Sequence, residues 1–182
     1  MAGDGKARPA TTKGGPMHTR PKTLAAAIML AAALTFFDAG SALAWRIGNW
    51  TGGAFGNRAT GQLNFCQMSV RYKSGIRLWF RQYANFNLYV GLSHGNWRLT
   101  PGGRYTLTFV IDGRVIRQAR GVVLAENTRR IWLPLGTDRY TRNRLQRGLR
   151  LRLVHNSGNY RFNLTGTAAA LARLERCLQI RG

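Results

Sequence analysis

From residue 66 onward the chain alternates apolar and polar positions with a period of two, the pattern of half-buried β-strands. In Cys66-Gln-Met-Ser-Val-Arg-Tyr72 one face reads Cys66, Met68, Val70 and Tyr72, and the other Gln67, Ser69 and Arg71. Lys73-Ser74-Gly75 then supplies a three-residue turn with glycine where a positive φ is wanted. Ile76, Leu78 and Phe80 follow on alternate positions. Pairing through that turn sets Tyr72 against Ile76, Val70 against Leu78 and Met68 against Phe80. All three pairs are apolar, so the register is self-consistent.

The next strand is marked by Phe86, Leu88, Val90 and Leu92, and another by Tyr105, Leu107, Phe109 and Ile111 after the turn Pro101-Gly102-Gly103. Asp112-Gly113 is a two-residue hairpin signal. Its return strand, 114–119, alternates poorly, which predicts a bulge or an edge position. Segments 122–124 and 130–135 each suit a short strand. Thr137-Asp138 opens a helix that runs through Arg147 and stops at Gly148. Leu149, Leu151 and Leu153 alternate again, and a loop over 155–158 returns the chain with Leu153 opposite Tyr160, Leu151 opposite Phe162 and Leu149 opposite Leu164. Seven or eight short strands separated by regular turn signals predict an all-β fold, an antiparallel Ig-like β-sandwich with two short helices; a small β-barrel is the alternative.

The second helix closes the chain. Gly166 permits a bend, Thr167 is placed as its N-cap, and Leu171, Leu174 and Leu178 form an apolar stripe that seats it on the core. Cys177 lies on the same stripe. Only one other cysteine exists, Cys66, on the inward face of the first hairpin. No C-x-x-C spacing is present, so a Cys66–Cys177 disulfide tying that hairpin to the last helix is the expected use of both.

The first 44 residues stand apart. Arg20 and Lys22 precede an apolar run over 24–37, and small residues follow, ending in Ala42-Leu43-Ala44. That order predicts a secretory signal peptide cleaved between Ala44 and Trp45, with Met17 as an alternative start. The apolar run has 14 residues, short of the ~20 that span a bilayer. Residues 45–182 then form one domain, with a periplasmic or secreted destination.

Charge is the strongest compositional signal. The chain holds 28 Lys+Arg against 6 Asp+Glu; the leader takes five of the former and two of the latter, leaving 23 cations, four acids and a formal charge of +19. Of those 23, 22 are arginine. The remaining acids, Asp112, Glu126, Asp138 and Glu175, are scattered, with Glu175 placed on an exposed helix face. After processing only His94 and His155 remain as histidines, both in loops. No local motif for hydrolysis, metal binding or a cofactor emerges, so an enzyme is not expected and no cofactor is assigned.

The arginines are patterned. The two hairpin registers put Arg71 opposite Arg77 and Arg152 opposite Arg161, and like charges directly opposite destabilise a sheet pair. Arg129, Arg130, Arg139, Arg142, Arg144, Arg147 and Arg150 crowd the intervening segment, and Trp79 lies between Arg77 and Arg81 on the outward face, with Tyr89 placed nearby. Arginines among aromatics suit bidentate anion contacts and stacking. These twelve arginines are the candidate anion-binding residues of an exported, non-enzymatic binding protein. Its expected partner is an anionic envelope component, lipopolysaccharide or anionic lipid, or an acidic protein; nucleic acid, which an exported chain rarely meets, ranks below these.

The run Leu-Thr-Pro-Gly-Gly-x-Tyr (99–105), Ile-Asp-Gly (111–113), Arg-Gly-Leu-Arg-Leu-Arg-Leu (147–153) and Phe-Asn-Leu-Thr-Gly-Thr-x-x-Ala-Leu (162–171) resembles a set of small exported bacterial domains of unknown function. It is similar in pattern to the invasion-associated locus B proteins. That resemblance implies an Ig-like sandwich in an envelope or secreted accessory protein, linked to host interaction. Fusion of some similar domains to secreted trypsin-like proteases implies a second role, as partner or inhibitor of a secreted hydrolase. It supplies no catalytic residues.

Overall fold

A computed structural model describes residues 44–57 and 59–181. The expected leader therefore lies outside the described residues, except for its last position, Ala44. Ten strands and two helices follow in order: β1 (Trp45–Ile47), β2 (Trp50–Gly56), β3 (Leu63–Arg71), β4 (Arg77–Tyr83), β5 (Leu88–Ser93), β6 (Arg104–Ile111), β7 (Arg114–Val122), β8 (Arg130–Gly136), α1 (Arg139–Arg147), β9 (Arg150–His155), β10 (Gly158–Asn163) and α2 (Thr167–Arg181).

All pairings are antiparallel, in the order β1-β2-β3-β4-β5-β8-β7-β6-β9-β10. β7 and β8 meet only at Val122 and Trp132, and at that thin joint the sheet divides into two layers. β1 and β10 end the order and do not pair with each other, so the sheet does not close and the architecture is a sandwich rather than a barrel. One core joins the layers: Leu78, Phe80, Val90 and Leu92 from the first are buried in the same cluster as Leu107, Phe109, Leu151 and Leu153 from the second.

The β3–β4 hairpin has the register that apolar pairing demands, with Met68 opposite Phe80, Val70 opposite Leu78 and Arg71 opposite Arg77. The second hairpin pairs Leu151 with Phe162 and Arg152 with Arg161, also as expected. Asp112 and Gly113 both take positive φ in a two-residue turn. The return strand carries the expected bulge: Phe109 faces Arg117 while Val110 faces Val115, leaving Ile116 as the extra residue.

Several expectations are corrected. Ten strands form rather than seven or eight, because 45–56 adds β1 and β2. Their period is masked by glycine; Gly52 is needed where the Trp45 ring lies across it, since a Cβ there would meet the indole at 2.7 Å. Phe86 is not in β5 but exposed in the preceding turn with φ 63°. Val122 ends β7 rather than opening a strand of its own. The 155–158 loop tightens to a two-residue turn, since Gly158 pairs with His155. Leu149 is 69% exposed, ahead of the strand it was assigned to. The Thr167 hydroxyl is buried without a hydrogen-bond partner, so it does not cap α2; at 15 residues that helix is also not short.

Cys66 and Cys177 are joined, 6.3 Å apart at Cα and 111 residues apart in sequence. The bond staples α2, through buried Leu171, Leu174 and Leu178, against β2, β3 and β4. Across the sandwich the Tyr72 hydroxyl donates to the Asn163 carbonyl at 2.6 Å, and its ring meets Phe162 edge-on at 5.1 Å. No described helix is long and apolar enough to cross a membrane.

Two stability predictions follow from these contacts. A loop of this length in the unfolded chain makes the disulfide worth about 2–5 kcal/mol. Cys177→Ala is expected to lose that amount in urea unfolding, and reductant should then have no further effect on the variant. Burial pushes the Tyr72 phenol up to about 12. The folded state keeps this proton where the unfolded chain releases it, so the contribution is whole below pH about 10 and is lost as pH rises toward 12. Tyr72→Phe should cost about 1 kcal/mol at neutral pH and make the alkaline loss of stability shallower in pH-resolved unfolding.

Candidate functional site

The first layer has two chemically distinct sides. Its inward side is the core. Outward, the strand registers lay side chains in rows across β3, β4, β5 and β8. One row is Arg71, Arg77, Ser93 and Arg130; the next is Ser69, Trp79, Gly91 and Trp132; a third is Gln67, Arg81, Tyr89 and Pro134. Two segments, Arg77-Leu-Trp79-Phe-Arg81 and Arg130-Ile-Trp132, therefore place alternating arginine and tryptophan on the same surface.

These side chains stack into an alternating ladder. Arg77 lies 5.1 Å from the Trp79 ring, Arg130 lies 4.0 Å from Trp79 and 5.5 Å from Trp132, and Arg81 is sandwiched at 4.1 Å from both Trp132 and Phe65. Each such contact contributes about 0.5–2 kcal/mol, more as it loses water. Arg81 also donates to Gln67 Oε1 from Nε at 2.9 Å and from Nη2 at 2.7 Å. Gly91 makes the ladder possible: a Cβ there would sit 2.7 Å from Trp132 Cζ3. Without one, the indole packs against the strand and is 5% exposed.

Arg130 is the strained member. Its Nε is buried without a partner. Burial first, then the neighbouring Arg81 and Arg77, hold its guanidinium below the ordinary arginine range. It nonetheless stays charged at any ordinary pH.

Beside this end of the ladder lies a hollow of about 280 Å³ walled by Arg71, Arg77, Trp79, Arg129 and Arg130, with Gly75, Ser93, His94, Gly95 and Asn127 completing it. No carboxylate lines it. Among the described residues the two ion pairs lie elsewhere, Arg117 with Asp138 and Arg142 with Glu175.

Of the twelve candidate arginines, Arg71, Arg77, Arg81, Arg129 and Arg130 thus come together. Arg150, Arg152 and Arg161 rim a separate, larger hollow of about 480 Å³ over Val110, Leu151 and Phe162. Arg139 and Arg147 stand exposed on α1, and Arg144 is partly buried with its Nε unpartnered. Arg142 is paired with Glu175, whose side chain remains 36% exposed. His94 belongs to the arginine hollow, and His155 borders a narrower cleft, its Nδ1 at 2.8 Å from Ser157 Oγ.

Trp132, Phe65 and His94 are parts of this face that the sequence reading does not place there. The repeated Arg-x-Trp in 77–79 and 130–132 was the available signal. The contact at Gly91 sets a test: Gly91→Ala should displace Trp132, cost about 1–3 kcal/mol in unfolding, and red-shift tryptophan fluorescence as the indole meets water.

No protein-family model matches this chain, and no curated protein matches its sequence. Among solved structures it is similar to the crystal structure of invasion associated protein B from Bartonella henselae, with a TM-score of 0.51 and 14% identity over 76% of this chain and 99% of that one. The resemblance carried by the turn and strand motifs is therefore matched by a shared fold.

Proposed function

We propose that this chain is an exported, non-enzymatic binding protein whose outward first-layer face takes an anionic component of the cell envelope. One observation carries this reading: five arginines converge on one side of a rigid sheet with aromatic and amide partners but no carboxylate. Their mutual repulsion costs folding energy that an anion would relieve. Stacking on rings fixes the guanidinium planes, so little side-chain entropy remains to be lost on binding. The disulfide fits an oxidising compartment, which supports export. The structural neighbour is described as invasion associated, and a role at the host interface is the second reading that this likeness favours.

The test is co-sedimentation of the purified protein with lipopolysaccharide and with phosphatidylglycerol vesicles at low and high salt. Binding is expected at low salt, falling steeply as salt rises. Arg71→Gln with Arg129→Gln, both exposed positions, should weaken it about tenfold or more. Arg152→Gln with Arg161→Gln should weaken it far less. Absence of binding at low salt would overturn the proposal.

A further inference from the structure

The hollow beside the arginine ladder has a more specific chemistry than the face around it. Every polar side chain that lines it can donate, and none is a carboxylate. Arg71, Arg77, Arg129 and Arg130 have no other capacity. Ser93 Oγ accepts the Trp79 indole N–H at 2.8 Å, which leaves its own O–H to donate. Asn127 Oδ1 accepts the Arg129 backbone N–H at 3.1 Å, which leaves the amide NH₂ free. His94 Nδ1 accepts the Asn96 backbone N–H at 3.2 Å, so the proton of the neutral ring sits on Nε2. That nitrogen lies over Gly75, where a Cβ would approach it to 2.7 Å. Gly75, at φ 82°, both makes the β3–β4 turn and keeps this side of the hollow open for the imidazole.

Donors from four segments therefore surround one space: β3 (Arg71), β4 (Arg77), the end of β5 (Ser93 and His94), and the β7–β8 loop with the start of β8 (Asn127, Arg129 and Arg130). Arg71 and Arg77 are directly paired in register. Glu126, the acid nearest in sequence, is exposed in that loop and does not line the space. At about 280 Å³ the hollow is small beside a whole glycolipid or protein segment.

We infer that this hollow is a site for a phosphate monoester or pyrophosphate group. A dianionic, multi-oxygen group answers a donor-rich lining with several guanidinium forks and no carboxylate. A carboxylate carries one charge and two oxygens, too few to satisfy it. A phosphodiester has one charge and two free oxygens and falls short for the same reason. This inference rests on the anion-binding reading of the same face and narrows it to a group.

The experiment is calorimetric titration of the purified protein with inorganic pyrophosphate, inorganic phosphate and acetate at matched ionic strength. In parallel, vesicles bearing phosphatidic acid, a monoester, are compared with phosphatidylglycerol, a diester, at equal surface charge. Pyrophosphate is expected to bind at one site per chain, at least tenfold tighter than acetate, and to change Trp79 emission. Phosphatidic acid vesicles should bind better than phosphatidylglycerol ones, which would mark a lipid headgroup as a source; pyrophosphate binding without that preference would support the site and point to a soluble or glycan-borne phosphate. Arg71→Gln and Arg129→Gln should each weaken pyrophosphate about tenfold without lowering the urea midpoint, whereas Arg152→Gln should not weaken it. Vesicle or lipopolysaccharide binding with no pyrophosphate site would overturn this inference and leave the broader function standing. Pyrophosphate bound with no envelope binding would do the reverse. Equal affinity for pyrophosphate and acetate would also overturn it.

Discussion

The pairing of β3 with β4 governs both sides of the first layer at once. With Met68 against Phe80 and Val70 against Leu78, Cys66 faces inward, where α2 can reach it, and Arg71, Arg77, Trp79 and Arg81 face outward. A slip of one residue would invert every side chain, burying arginines and exposing phenylalanine and leucine. No such state could compete, because an unpaired buried guanidinium costs several kcal/mol while each exposed large apolar side chain forfeits roughly 1.5–3. The same register thus commits the core, the disulfide and the arginine face together.

A row of like charges needs something to make it tolerable. In this sheet the means is the aromatic ring rather than the carboxylate. Arg81 lies between Phe65 and Trp132, and Arg130 lies over Trp79, each guanidinium carbon about 4 Å from a ring centre. Such contacts stabilise a cation without neutralising it. The surface therefore keeps its positive field.

The few acids explain why that field survives. Asp138 caps α1 by accepting from the Tyr140 backbone N–H, and it pairs with Arg117; the Thr141 hydroxyl is the first cause holding its carboxyl below the usual range. Asp112 accepts the backbone N–H groups of Leu149 at 3.1 Å and Arg150 at 2.9 Å, binding the β6–β7 turn to the start of β9. Glu175 ties α2 to α1 through Arg142. Three of the four acids after Ala44 are thus engaged in holding the fold, away from the first-layer face.

Period-two alternation and turn chemistry were enough to read the two hairpins and their registers, the Asp112–Gly113 turn with its bulge, α1 with its stop at Gly148, and the stripe that seats α2, because each depends on neighbours along the chain. β1 and β2 were hidden, since glycine erases the alternation wherever a partner ring must lie against the strand. The arginine face was half legible. Arg71 against Arg77 and Trp79 between two arginines followed from one hairpin. That β8 lies beside β5, bringing Arg130 and Trp132 onto Gly91 and Ser93, depends on how strands distant in sequence pair, and no local pattern encodes that order. Within β3, β4, β9 and β10 the sequence by itself determined which residues point in and which point out; only the tertiary structure decided which outward arginines meet, because strand order across a sheet is set by packing of the whole core.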